Sequence, residues 1–168
     1  MQRINKLVLV GAGLIGGSYT LALKAAGVVG SVVGVGRTRA TMEEAKRLGL
    51  VDEIAADFAC AKDADLVMLA MPVGQTESVL KALTPLLGVG TVITDAGSTK
   101  CDVINAARTA LGSALPRFVP GHPVAGTEQS GPQAAFAELY RNRRVVLTPL
   151  LETMPSATAL VRETWLAC

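Results

Sequence analysis

The chain has 168 residues, half of them apolar, with 16 Lys and Arg against 14 Asp and Glu. That length suits one domain, or one domain with a short appendage. A net charge of +2 and the lack of a sustained basic run leave no footprint for a nucleic-acid backbone, and aromatics at 4% offer little for bases to stack on.

Alternating strand-like and helix-like stretches follow in chain order. Residues 7–10 read as a short buried strand. Leu14, Leu21, Ala22 and Ala25 predict a helix over 14–26, stopped by Gly27. A second strand is predicted at 31–35 and a polar-faced helix at 41–48, closed by Gly49. Residues 66–70 form another apolar run, cut by Pro72. The stripe of Val79, Leu80, Leu83, Leu86 and Leu87 predicts a helix over 75–87. A strand at 91–94 and a helix at 101–115 come next. Strands at 118–119 and 145–147 are then separated by a loop and a helix around 134–140. Such alternation implies a doubly wound α/β fold on a mostly parallel sheet. In the tail, 156–167 is predicted helical, with Leu160, Val161 and Trp165 as an exposed apolar stripe.

Three scattered cysteines (Cys60, Cys101 and Cys168) form neither a C-x-x-C pair nor a disulfide framework. The single histidine, His122, excludes a His-rich cluster, so no metal site is expected. Met1-Gln2-Arg3 leads directly into a strand-like run without a leader pattern, and no apolar run reaches 18 residues. A soluble, cytoplasmic protein that binds neither nucleic acid nor membrane is the expectation.

Gly11-Ala12-Gly13-Leu14-Ile15-Gly16 is a G-x-G-x-x-G that follows a predicted strand and opens a predicted helix. The first glycine permits the tight turn and the second lets the backbone approach a pyrophosphate. The third lets helix and strand pack closely, while the helix N-terminus offers N–H donors. Gly11, Gly13, Leu14, Ile15 and Gly16 are therefore candidate cofactor residues. About 20 residues on, where an acid would take the ribose 2′-hydroxyl, the chain has Gly36, then Arg37, Thr38 and Arg39. Asp52 and Glu53 lie too far along to replace that acid. A missing acid beside a guanidinium favours NADP over NAD, with NAD still possible. The alternative is that Arg37 and Arg39 are ordinary loop charges.

Met71 and Pro72 end the 66–70 strand at the expected ligand edge, as cofactor wall or simple terminator. In Asp95-Ala96-Gly97-Ser98-Thr99-Lys100, Ser98 can bond a ligand or cap the next helix. Asp95 can hold the turn. His122, between Gly121 and Pro123 after a predicted strand, has a side chain suited to proton transfer near neutral pH, or to a structural bond.

Together, the glycine loop through Ser18, the 95–100 segment and Gly121-His122-Pro123-Val124-Ala125-Gly126-Thr127-Glu128-Gln129-Ser130-Gly131 resemble the prephenate/arogenate dehydrogenase family of tyrosine biosynthesis. The motifs stand in the family's order across nearly the whole chain. The resemblance implies a Rossmann domain over 1–150 and NAD(P)-dependent oxidative decarboxylation of prephenate or arogenate. It implies that His122 accepts the proton of the ring C4 hydroxyl and that Ser98 orients that hydroxyl. It also implies a homodimer formed through a later helical domain absent from this chain, with 151–168 beginning the connection to it. The cations near the presumed site edge are Lys100 and the Arg141, Arg143 and Arg144 cluster, the latter expected to face solvent. Competing expectations are another β-hydroxyacid-type dehydrogenase and a non-catalytic NADP-binding or redox-sensing module.

Overall fold

The computed structural model describes residues 3–168; Met1 and Gln2, with which the leader-free start is read, lie outside them. Its strands and helices run β1 (Ile4–Val10), α1 (Leu14–Ala25), β2 (Val29–Val35), α2 (Arg39–Arg47), β3 (Glu53–Ile54), β4 (Leu66–Leu69) and α3 (Thr76–Leu83). They continue with β5 (Val92–Asp95), α4 (Lys100–Ala110), β6 (Phe118–Val119), β7 (Gly121–Pro123), β8 (Val145–Leu147) and α5 (Pro155–Leu166). Six strands form one sheet in the order β3-β2-β1-β4-β5-β6, every pair parallel, while β7 and β8 form a separate antiparallel ribbon. The doubly wound expectation holds.

The apolar runs are continuous because both sheet faces are covered. Leu7 and Leu9 of β1 join Leu66 and Met68 of β4 in one core, against Tyr19 and Leu23 of α1 and Met42 of α2. Val8 and Val10 join Val67 and Leu69 in the other, against Leu80 and Leu83 of α3 and Val103 and Ala107 of α4. Strand order reverses at β1, whose neighbours β2 and β4 lead their chains apart. At such a point the carboxyl ends of the strands diverge and leave a crevice. Here the residues above it are Gly11, after β1, and Ala70 to Pro72, after β4.

Two expectations fail. Residues 134–140 are not a helix but a 3-10 turn, Pro132–Ala134, followed by irregular turns. Tertiary bonds outweigh the local pattern: Phe136 N–H donates to Ser18 Oγ at 3.0 Å, and Tyr140 O–H to the Ile15 carbonyl at 2.6 Å. This strap covers the side of α1 that carries Ser18, which is fully buried. The α5 stripe is not exposed either. Val161 and Trp165 are buried and Leu160 is half-buried. Trp165 packs on Tyr19 and Tyr140 at ring separations of 4.6 and 5.1 Å, and Tyr19 O–H bonds Thr164 Oγ1 at 2.6 Å. Among the described residues no helix is long and apolar enough to cross a membrane. None of their His, Cys, Asp and Glu side chains gather in threes that could hold a metal ion.

Candidate functional site

Two adjoining cavities open at the crevice. The larger, about 580 Å³, is lined by Gly11, Gly13, Gly36, Arg37, Thr38 and Asp57 among others. The smaller, about 450 Å³, is lined by Ile15, Val73, Gly97, Ser98, His122 and Pro123 among others. Ala70, Met71 and Pro72 belong to both, so the residues after β4 form a shared sill.

The glycine loop shows why its residue types matter. Gly11 has φ +94°, and a Cβ there would lie 2.8 Å from the Ala70 carbonyl atoms. A Cβ on Gly16 would lie 2.3 Å from the Gly11 carbonyl oxygen, so the start of α1 packs directly on the turn. Gly13 differs, because nothing lies within 4 Å of its missing Cβ. That open space sits at the α1 N-cap, where no side chain caps the helix and the first turn carries no acid. The Gly17 N–H bonds the Gly13 carbonyl at 2.8 Å. The N–H groups of Leu14, Ile15 and Gly16 thus precede the helical ladder and are available to an anion.

At the other end of the larger cavity, no carboxylate follows β2. A Cβ at Gly36 would meet Met42 Sδ at 2.3 Å, so packing of α2 also selects glycine there. Arg37 is exposed and lines the cavity. The Thr38 side chain caps α2, accepting from Thr41 N–H at 3.3 Å. Arg39 does not share this wall: it pairs with Glu43 one turn along α2 and is not among the cavity residues. Asp57, not singled out from the sequence, lines the same wall. Its Oδ1 caps the short turn Phe58–Ala61 by accepting from Ala59 N–H at 2.9 Å. Asp52 is committed elsewhere, to Lys24 at 2.7 Å and Val32 N–H at 2.7 Å.

In the smaller cavity, Ser98 is exposed and is not a cap. The N-cap of α4 is Thr99, without a side-chain bond, which leaves the Ser98 hydroxyl facing the cavity unused by the helix. His122 is not in a loop after a strand but is the centre of β7, paired with Val146. Pairing bonds fall on even-numbered residues: Val124 N–H reaches the Arg144 carbonyl at 2.8 Å, and Thr148 N–H the Pro120 carbonyl at 2.9 Å. Pro123, lacking an N–H, therefore occupies a position where the ladder needs none. The same register puts His122, Val124, Arg144 and Val146 on one face of the ribbon. Arg141, Arg143 and Arg144 are all exposed.

Lys100 is not free to meet a substrate. Its ammonium forms an ion pair with Asp95 and also donates to the Gly121 carbonyl at 2.6 Å. Asp95, 2% exposed, also accepts from Gly97 N–H at 2.7 Å and Gly121 N–H at 3.0 Å. Burial pushes the Asp95 carboxyl above its ordinary range and the Lys100 ammonium below its own, while each charge favours the ionised form of the other.

The family described as prephenate dehydrogenase, nucleotide-binding domain, matches residues 19–168. The chain is 36% identical to a cyclohexadienyl dehydrogenase of Zymomonas mobilis over 98% of its own length and 56% of that protein's. It superposes with a TM-score of 0.89 on prephenate dehydrogenase from A. aeolicus, solved in complex with hydroxyphenyl propionate and NAD+. That match has 33% identity and covers 97% of this chain and 57% of that one. Against Synechocystis arogenate dehydrogenase the TM-score is 0.85, at 34% identity, covering 95% of this chain and 55% of that one. The chain thus spans little more than half the length of these relatives.

Proposed function

Since the chain belongs to the prephenate dehydrogenase nucleotide-binding-domain family, we propose that it is the cofactor-binding and proton-accepting part of an NADP-preferring dehydrogenase. Its substrate would be a cyclohexadienyl acid of the prephenate or arogenate type. The carrying observation is the continuity of the two cavities across Ala70, Met71 and Pro72. A dinucleotide stretched over that sill would have its pyrophosphate at the open Gly13 cradle and its ribose near Arg37. Its nicotinamide would then lie in the cavity that holds Ser98 and His122.

When bound, the nicotinamide supplies a hydride acceptor. His122 would take the proton of the substrate's ring hydroxyl, and Ser98 would bond the same oxygen to hold it in line. The electron pair released when the ring carboxylate departs as CO₂ would pass through the ring to that oxygen, to which His122 could return the proton, giving the aromatic phenol. A fixed base beside a fixed acceptor turns two encounters into one oriented step. Arg144, on the His122 face of the ribbon, offers a guanidinium to a carboxylate approaching from that side. His122 at the nicotinamide end also separates this assignment from a binding-only module, which has no use for a base there.

Cofactor choice rests on Arg37. A guanidinium on a 2′-phosphate is a charge-assisted contact of about 1.5–3 kcal/mol, or roughly tenfold or more in affinity. Calorimetric titration should show NADP binding more tightly than NAD, with Arg37→Ala erasing the difference. Equal affinities in the parent chain, or an unchanged preference in Arg37→Ala, would return Arg37 to the ordinary surface charges. The reaction is tested by incubating the protein that carries this chain with prephenate or arogenate and NADP, following reduced cofactor by absorbance. Formation of the aromatic product supports the assignment; cofactor binding with neither substrate oxidised would leave a binding module.

A further inference from the structure

The Asp95–Lys100 ion pair lines neither cavity but bonds the residues that precede Ser98 and His122. β7 lies outside the parallel sheet, so no strand ladder ties it to β5. Its ladder with β8 uses the even-numbered residues, which leaves both main-chain groups of Gly121 pointing away from β8. Asp95 and Lys100 take both. The Gly121 N–H goes to Asp95 Oδ1 at 3.0 Å and its carbonyl to Lys100 Nζ at 2.6 Å. On its other oxygen Asp95 holds Gly97 N–H at 2.7 Å. A Cβ on Gly121 would lie 2.9 Å from the Asp95 carbonyl oxygen, so the approach admits only glycine. Gly97 immediately precedes Ser98, and Gly121 immediately precedes His122.

We propose that Asp95 and Lys100 are a positioning pair that sets where His122 stands relative to Ser98, by clamping the residue before each to one buried carboxylate and its ammonium. The assignment of roles to Ser98 and His122 rests on the function proposed above; the clamp itself is a matter of this chain's geometry. A buried ion pair is poor evidence of a stabilising device, because desolvation consumes most of what the charges contribute. Its retention at this spot fits orientation better. Small displacements of a reacting group are costly, with about 1 Å able to cost roughly 10²-fold in rate.

The test uses two built-in reporters, since the chain has one His and one Trp. In untagged protein, His122 imidazole signals report the site and the Trp165 indole N–H reports the packing of α5. Two variants are compared: Lys100→Met, and the double variant Asp95→Asn with Lys100→Met, which leaves no unpaired buried charge. In both, the His122 signals should move and broaden or split while the Trp165 signal stays in place. In the protein that carries this chain, kcat should fall about 10–100-fold, with KM and cofactor affinity within about threefold of the parent. Unchanged His122 signals would overturn the proposal. So would loss of the Trp165 signal in the double variant as well as the single one, which would make the pair a support of the whole fold. If His122→Asn proves fully active, the base role given to His122 fails, while the imidazole signals of the parent and the two variants still decide whether the clamp exists.

Discussion

Replacing His122 with Asn is expected to lower kcat for prephenate or arogenate oxidation by about 10²–10⁴-fold, the range lost with a positioned general base. Asparagine keeps a polar side chain of similar reach but cannot accept the hydroxyl proton at neutral pH. NADP affinity should stay within error, because His122 lines only the smaller cavity, away from Gly13 and Arg37. Ser98→Ala should cost less, as its hydroxyl orients the substrate oxygen without receiving the proton. Near-normal turnover by His122→Asn would remove the base from the mechanism.

The glycine loop supplies the second large effect, with two neighbouring positions expected to fail differently. Gly16→Val pushes a side chain against the Gly11 carbonyl oxygen, Ala70 Cβ and Leu9 Cδ1, all within 2.8 Å of its Cβ. Overpacking of that kind costs about 1–3 kcal/mol or more. For a chain of this size each kcal/mol lowers Tm by about 2–4 °C. Gly13→Val meets nothing within 4 Å, and Gly13 has φ −90° and ψ −162°, which any residue adopts. Its Tm should match the parent's. The new side chain would instead fill the space at the uncapped α1 N-terminus, the proposed pyrophosphate site. NADP binding should weaken by at least about 100-fold, or about 2.7 kcal/mol. A Gly13→Val chain that binds NADP normally would place the phosphates elsewhere.

Elements covered on both faces were plain in the sequence, since a strand such as β4 must be apolar at every position and Gly27 and Gly49 mark helix ends. What escaped was whatever depends on distant partners. β3 is two residues long and carries no pattern. β7 reads Gly-His-Pro, with neither alternation nor strand propensity, and exists because β8 returns beside it. The 132–140 strap looked helical because its small and apolar residues suit a helix, yet Ser18 and the Ile15 carbonyl pull it into turns. In α5 the apolar side was identified correctly, but its cover comes from Tyr19 and Tyr140, far away in the chain.

At the site, the cofactor loop was legible because each glycine answers a steric demand that the motif itself states. Ser98 was ambiguous because Ser98 and Thr99 are adjacent capping types, and only the start of α4 decides between them. Lys100 looked available because its partner Asp95 lies five residues back across a turn, outside the three- and four-residue spacings of helix pairs. Asp57 carried no signal beyond the capping preference of its residue type.

The most direct test of a single dinucleotide cleft ending at His122 is titration of the 168-residue chain with NADP while the amide of Gly13 and the imidazole of His122 are followed by NMR. One NADP should bind per chain, and both signals should shift along the same saturation curve, the first at the pyrophosphate and the second at the nicotinamide. Saturation that moves Gly13 and leaves His122 untouched would contradict the shared site, as would the absence of any binding.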